Sequence, residues 1–299
     1  MEGVVSVAVM MYEHPLAYVL GLEGVALMRA YTGGHDRAFV EARLAEIRAF
    51  LDDERLAGAA VEVERVDVAT GYRIWASTYD GPNSAFDLDE PFIKEVVGGL
   101  PAGDALDAAC GTGRIAALLA ARGHRVRGVD GSPDMLARAR ERVPDAEFLP
   151  GELAALPLPD ACVDLVVCSL ALTHVPALDP VLAEFARVLR PGGHAVLSDI
   201  HPDGVARGVV PPVRLPGGRP ARVATHHHPV GDYVRAALAA GLHVRRCEEP
   251  RHPAGEPRER TDVLEPWDVW PWALCDLAPE AAHAAIAGTP SMLFWHFQR

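Results

Sequence analysis

The sequence predicts an open α/β fold, in which a mostly parallel sheet is covered by helices on both faces and is preceded by a mainly helical region. From about residue 92, short apolar runs of strand length alternate with stretches of helical periodicity, as expected when helices connect parallel strands. The run from Val163 to Leu170 is interrupted only by Asp164 and Ser169. Such a run is typical of a strand that is buried on both faces.

Seven segments of this region have strand character, so the predicted sheet has seven strands. They are residues 105–109, 125–130, 147–150, 163–170, 194–200, 243–247 and 292–297. The predicted helices between them are residues 114–122, 132–142, 181–190 and 230–240. Ser132 followed by Pro133 is a typical helix start, and Gly241 follows the last of these helices as a typical end.

We predict two regions: a helical N-terminal region of residues 1–90, and a core of residues 91–299 with an insertion at about 250–290. In the first region, apolar residues recur at helical spacing between Asp36 and Leu51. Residues 250–290 interrupt the alternation of strand and helix, because Arg251 to Arg260 is polar and rich in proline. That stretch is expected to be a mobile loop.

Composition limits the partners. There are 41 acidic and 28 basic side chains, for a formal net charge of -13. Phosphate backbones are repelled by such a surface, so we expect a small-molecule substrate and no nucleic acid. The five cysteines form no Cys-x-x-Cys pair and are expected to be reduced thiols of a cytoplasmic protein. The apolar run Val4 to Met11 is too short to cross a membrane and lacks a preceding basic segment, so no membrane association is expected. The sequence leaves the oligomeric state open, with a homodimer among the alternatives.

A glycine-rich turn joins the first predicted strand to its helix. Gly111 and Gly113 let the backbone approach a ligand closely, and the following helix directs its first amides toward that ligand. Asp130 ends the second strand, where a carboxylate can accept hydrogen bonds from both hydroxyls of a ribose. A nicotinamide-dependent oxidoreductase shares these features. It is disfavoured because Asp107 lies where dinucleotide-binding folds prefer an apolar residue, and Ala116 lies where they carry a third glycine.

Four motifs together resemble the class I S-adenosylmethionine-dependent methyltransferases, in particular the broad group of quinone- and biotin-pathway enzymes and natural-product tailoring enzymes. The motifs are Asp107–Gly113, Gly128–Leu136, Leu156–Asp164 and Arg187–Gly193. The resemblance covers roughly residues 70 to 250. It implies a Rossmann-like sheet, S-adenosylmethionine as cofactor, and methyl transfer to an O, N or C atom of a small molecule, in secondary metabolism.

The resemblance also implies the cofactor-binding residues. The glycine-rich loop would face the methionine and ribose, Asp130 the ribose hydroxyls, and an acid after the third strand the adenine amino group. Glu152 stands there in place of the commoner aspartate. The full predicted set is Tyr72, Tyr79, Asp107, Ala109, Cys110, Gly111, Gly113, Asp130, Gly131, Met135, Glu152, Leu153, Ser169 and Leu170. The aromatic residues Tyr72, Trp75 and Tyr79 resemble a segment that closes over the cofactor.

Histidines are the candidate general bases, which an acceptor hydroxyl or a protonated amine would require. His174 and His201 follow the fourth and fifth core strands, where open α/β sheets bind ligands. Each could equally cap a helix or bind a loop. Trp75, His174, His201 and His227 are the candidates for contact with the acceptor. Adjacent histidines of an extended segment point to alternating faces, so His226, His227 and His228 predict no metal site.

Other functions remain open on these motifs. A cofactor-binding relative that does not methylate, such as a cyclase, would carry the same loops. So would a regulatory binding protein on the same fold, because a fold does not fix a function.

Overall fold

The computed structural model describes residues 10–81 and 83–299. The predicted apolar run from Val4 therefore lies outside the described residues, except for Met10 and Met11. Within them the chain forms eleven β-strands and eleven α-helices. The strands are β1 (Met10–Glu13), β2 (Val61–Val66), β3 (Asp104–Ala108), β4 (Arg125–Asp130), β5 (Glu147–Pro150), β6 (Val163–Ser169), β7 (Leu189–Ile200), β8 (Pro212–Arg214), β9 (Pro220–Val223), β10 (His243–Glu248) and β11 (Met292–Gln298). The helices are α1 (Pro15–Ala30), α2 (Arg37–Leu51), α3 (Glu54–Ala57), α4 (Val68–Trp75), α5 (Ser84–Gly98), α6 (Arg114–Ala121), α7 (Pro133–Arg142), α8 (Asp179–Val188), α9 (Pro202–Ala206), α10 (Val230–Ala239) and α11 (Pro279–Ile286).

These elements divide into two compact units. The core unit comprises residues 67–207, 224–250 and 290–299, and the appended unit comprises residues 10–66, 208–223 and 251–289. The division differs from the predicted boundary near residue 90, because α4 and α5 pack within the core unit. Residues 208–223 join the appended unit through strand pairing of β9 with β2, a long-range contact that no local pattern indicates.

A seven-stranded sheet forms the centre of the core unit, in the order β10-β11-β7-β6-β3-β4-β5. The strands from β7 to β5 are parallel, and β11 runs antiparallel to both of its neighbours. Apolar side chains on both faces are buried, including Leu106 and Leu165, neither of which is more than 1% exposed. The predicted α/β fold with a mostly parallel seven-stranded sheet is confirmed.

The helix predicted from Asp36 begins as expected. The Asp36 side chain accepts a hydrogen bond of 2.9 Å from the backbone N–H of Phe39, which caps α2. The appended unit also contains a four-stranded sheet, in the order β1-β2-β9-β8. The sequence analysis does not predict this sheet, because its strands are short and two of them lie more than 140 residues from the others in the chain.

Candidate functional site

A cavity of about 290 Å³ lies in the core unit, at the carboxyl ends of β3, β4, β5 and β6. This edge is where open α/β sheets bind ligands, since the loops after parallel strands meet there. Most of the predicted cofactor-binding residues line the cavity. They are Tyr72, Tyr79, Ala109, Gly111, Asp130, Gly131, Glu152, Leu153, Ser169 and Leu170.

Asp130 organises the glycine-rich loop. One oxygen of its carboxylate accepts from the backbone N–H of Gly111 at 2.8 Å, and the other accepts from the N–H of Ser132 at 2.8 Å. Burial raises the pKa of Asp130 from its usual value, and these two hydrogen bonds oppose that shift. Each carboxylate oxygen retains a lone pair, so the side chain can still accept bonds from a ligand in the cavity.

Two glycines permit a close approach to the cavity wall. Gly111 has a φ of +51°, and a Cβ there would lie 3.8 Å from the Tyr79 ring. A Cβ on Gly131 would lie 3.2 Å from Glu152 Oε1, tighter than an ordinary contact. Without these side chains, a ligand can lie against the backbone between Asp130 and Glu152.

Backbone strain is concentrated at the same wall. Ala109 and Leu170 have φ values of 59° and 56°, in the left-handed region that non-glycine residues seldom adopt. The N–H of Leu170 donates to the carbonyl oxygen of Ser198 at 2.7 Å, which fixes that turn. Strain of this kind persists where surrounding structure enforces it, and it is common at ligand sites.

Four residues of the predicted cofactor set do not line the cavity: Asp107, Cys110, Gly113 and Met135. Asp107 is buried and accepts from the N–H of Ala116 at 2.7 Å, so it holds the first turn of α6. Burial raises the pKa of Asp107 to about 7. Cys110 and Met135 are buried, and a Cβ on Gly113 would lie 3.1 Å from Ala139 Cα of α7. These four residues therefore support the glycine-rich loop from the side away from the cavity.

The aromatic residues of α4 and the following turn form a connected group. The Tyr72 ring lies 5.3 Å from Trp75 and 5.9 Å from Tyr79, measured between ring centroids. Tyr72 and Tyr79 line the cavity, whereas Trp75 does not. Burial raises the pKa of Tyr79 to about 12, so its hydroxyl is neutral at physiological pH.

His174 lines the cavity, and its ring centroid lies 5.4 Å from that of Tyr72. Its Nδ1 is 2.9 Å from the carbonyl oxygen of Ala224. Because a carbonyl only accepts, Nδ1 carries the proton in the neutral ring and Nε2 has a free lone pair. Burial lowers the pKa of His174, so the ring is neutral near pH 7.

The structure does not bring His201 and His227 to the cavity. His201 is buried, accepts from the N–H of Asp203 at the start of α9, and lies 3.0 Å from Glu249 Oε1 through Nε2. His201 therefore caps a helix, which is the alternative role that the sequence left open. His227 is exposed. Like Trp75, neither histidine lines this cavity, and their contact with an acceptor stays a prediction.

A buried polar network next to Ser169 was not predicted from the sequence. Asp89 of α5 is 0% exposed and accepts two hydrogen bonds of 3.0 Å from Arg114. Ser169 donates to Asp89 and accepts from Arg114 at 2.8 Å, and Ser198 donates to Asp89 at 3.0 Å. The sequence does contain a signal for it. Asp89 lies three and four residues before the apolar Phe92 and Ile93, so a charged side chain stands on the face of α5 that packs on the sheet.

The described residues include no group of three or more His, Cys, Asp or Glu side chains placed to hold a metal ion. Across residues 10–81 and 83–299, every helix is too short or too polar to cross a bilayer.

Comparison with known proteins gives a consistent result. Residues 106–197 match the family described as methyltransferase domain. A malonyl-[acyl-carrier protein] O-methyltransferase of Serratia marcescens is 35% identical over 141 residues, which cover 46% of this chain and 54% of that protein. A demethylmenaquinone methyltransferase of Renibacterium salmoninarum is 32% identical over 150 residues, which cover 48% of this chain and 63% of that protein. The chain thus spans roughly half to two thirds of the length of these curated relatives.

Solved structures share the fold. A complex between the Haloferax volcanii Trm112 methyltransferase activator and a methyltransferase matches with a TM-score of 0.55 and 23% identity, over 77% of this chain and 96% of that one. An S-adenosylmethionine-dependent methyltransferase of Listeria monocytogenes matches with a TM-score of 0.51 and 18% identity, over 73% and 99% of the two chains. These identities are low, so the similarity extends to the fold alone.

Proposed function

We propose that this chain, whose residues 106–197 match the family described as methyltransferase domain, uses S-adenosylmethionine to methylate an O, N or C atom of a small-molecule acceptor, in secondary metabolism. The observation that carries the proposal is the cavity wall formed by Gly111, Asp130 and Gly131, which combines a free backbone surface with a carboxylate suited to a ribose. S-adenosylmethionine supplies a methyl group on a sulfonium, which is already an activated leaving group.

We assign the cofactor contacts to residues that line the cavity. Asp130 would accept from the ribose hydroxyls, Glu152 would face the adenine amino group, and Ala109 with Leu170 would border the methionine. Tyr72 and Tyr79 would cover the cofactor and exclude water. This set fits the cofactor, because the glycines leave room next to the carboxylates.

His174 is the base in this proposal. Its Nε2 would take the proton from an acceptor hydroxyl as the oxygen bonds to the methyl carbon and the bond from that carbon to sulfur breaks, or from an acceptor ammonium before that displacement. The hydrogen bond to the Ala224 carbonyl fixes the required tautomer, and the lowered pKa keeps the ring neutral at the working pH. No general base is required if the acceptor is an already ionised group.

Binding and mass spectrometry test the function. Calorimetry should show binding of S-adenosylmethionine and its demethylated product and no binding of NAD. Incubation of an extract of the source organism with the protein and S-adenosylmethionine should give a product heavier by one methyl group. Tight NAD binding without S-adenosylmethionine binding would contradict the proposal. Cofactor binding without any methylated product would favour a non-methylating relative, such as a cyclase or a regulatory protein.

Substitution of two histidines, one at a time, tests whether His174 is the general base. His174→Gln should reduce kcat about 10²- to 10⁴-fold, the usual contribution of a general base, while the Kd for S-adenosylmethionine stays unchanged. His227→Gln is the matched control, because His227 is exposed and outside the cavity. The wild-type kcat should fall with decreasing pH below the ordinary histidine pKa of 6.5, as His174 becomes protonated. An unchanged kcat in His174→Gln would remove the base from the proposal and leave methyl transfer intact.

A further inference from the structure

The charges on the cavity wall are all of one sign. Asp130 and Glu152 contribute carboxylates, and the described residues that line the cavity include no lysine or arginine. His174 lines it too, but its pKa is lowered by burial. Arg114 lies behind Ser169, and its guanidinium is already held by Asp89 and Glu90 and by the Phe86 ring, 4.1 Å from its Cζ. No protein cation of the described wall is therefore available to an anionic ligand.

The rest of the wall is mostly apolar. Apart from the loops that follow β3, β4 and β5, the cavity is lined by residues of α4 and of the stretch from β6 into α8. The apolar members of this part include Val68, Ala69, Val175, Pro176, Ala177 and Val181. The polar contributions here are the Tyr72 hydroxyl, the Ser169 hydroxyl and the His174 ring. Such a wall favours hydrophobic burial of an acceptor with few polar groups.

An anionic acceptor group would be costly at this wall. Moving a carboxylate out of water is unfavourable unless a cation or several hydrogen-bond donors replace its hydration. Asp130 and Glu152 would add repulsion. The positive charge of the cofactor can compensate a negative charge only at the reacting atom, so a further acidic group on the acceptor would have no partner.

We propose that the acceptor is an uncharged, largely apolar molecule whose reacting hydroxyl lies within reach of His174. Acceptors that carry a carboxylate or a phosphate should bind more weakly, because the same wall offers their charge no cation. This inference rests on the proposed function, since it assigns the substrate class of the same cavity.

The test compares 2-naphthol with 2-naphthoate, two probes of the same ring system that differ in charge at pH 7.5. Binding of each is measured by calorimetry to the full chain saturated with sinefungin, an analogue of the cofactor that carries a positive charge and transfers no methyl group. We expect 2-naphthol to bind at least about tenfold more tightly than 2-naphthoate, because the buried carboxylate would lose its hydration without gaining a partner.

A charge introduced on the wall makes the test specific. Ala69 lines the cavity in the first turn of α4 and is exposed, so a larger side chain there disturbs no core packing. Ala69→Arg should reduce or reverse the preference for 2-naphthol, whereas Ala69→Gln, of similar size and uncharged, should keep it. Persistence of the wild-type preference in Ala69→Arg would contradict the electrostatic reason.

Two results overturn the proposal: equal or tighter binding of 2-naphthoate to the wild type, and the failure of both probes to bind. Failure of sinefungin and S-adenosylmethionine to bind would instead contradict the proposed function. The probe comparison without cofactor would then still report the charge preference of the cavity.

Discussion

Asp130 performs two tasks at the scale of a single residue. It holds the backbone of Gly111 and Ser132, and it offers its remaining lone pairs to the cavity. The sequence predicts the second task from its position at a strand end. The first task depends on the path of the loop that follows β3, which brings the Gly111 amide within 2.8 Å of a residue 19 positions later.

We predict that Asp130→Ala weakens S-adenosylmethionine binding by about 1.5–3 kcal/mol, or roughly 10- to 150-fold, because hydrogen bonds to a charged group are lost. Calorimetry with the cofactor measures this, and a thermal melt checks that the fold persists. Asp134→Ala is the control, since Asp134 is exposed in the first turn of α7. An unchanged Kd in Asp130→Ala would show that the ribose does not bind at this carboxylate.

The pair of Asp89 and Arg114 gives a prediction about stability. Arg114→Met should destabilise the core unit by about 3–5 kcal/mol, because it leaves the fully buried Asp89 carboxylate without its cation. Urea unfolding measures the loss. The double variant Arg114→Met with Asp89→Asn should recover part of it, since no buried charge remains. If the destabilisation of the double variant equals the sum of the destabilisations of Arg114→Met and Asp89→Asn, the ion pair does not account for the stability.

At the scale of elements, α4 and the turn after it line the cavity through Tyr72 and Tyr79. Of the covering element that the sequence places within residues 1–90, α4 and the turn after it contribute residues that line the cavity. The role of this element as a lid stays a prediction. A lid must open to admit the cofactor, so it should be less stable than the sheet.

We expect amide hydrogen exchange in residues 67–81 to slow when S-adenosylmethionine or its product binds, and Tyr79→Ala to weaken cofactor binding. Tyr31→Ala is the matched control, because Tyr31 is 95% exposed and belongs to the appended unit. If α4 only anchors the chain, exchange would be slow with or without ligand. Tyr79→Ala would then lower the melting temperature and leave the affinity unchanged.

At the scale of the whole molecule, each unit has its own buried core. The apolar cluster of the appended unit includes Val19, Phe50 and Trp267, and the clusters of the core unit surround the seven-stranded sheet. In the appended unit, the buried Arg43 of α2 donates to the buried Glu23 of α1 at 3.0 Å and to the exposed Glu280 of α11 at 2.6 Å.

The stability of the appended unit should therefore depend on pH. Burial, together with the neighbouring Glu46 carboxyl group, raises the pKa of Glu23 from 4.5 to about 8. Between these values the folded state binds more protons than the unfolded state, so stability falls as pH rises. Glu23→Gln should flatten this dependence between about pH 5 and pH 8. Urea unfolding followed by tryptophan fluorescence tests it, with the exposed Glu41→Gln as control. An equal slope in Glu23→Gln and wild type would contradict the assignment.

The sequence by itself determined the sheet and the loops at its carboxyl edge. Strands such as β4 and helices such as α7 were predicted within a residue or two, because their apolar periodicity and caps are local properties of the chain. The glycine-rich loop and Asp130 were predicted for the same reason: both follow directly from strand ends.

Tertiary structure decided which polar side chains reach the cavity. His174 and His201 look alike in the sequence, since both follow a core strand. Only His174 lines the cavity, because the Ala224 carbonyl holds its ring there, whereas His201 caps α9. The partners that decide this lie 50 residues away for His174 and two residues away for His201. The pairing of β2 with β9 and the contact of Asp89 with Arg114 are equally non-local. A hydrogen-bond donor or a carboxylate gains its role from groups that folding brings to it, and sequence periodicity does not record which groups those are.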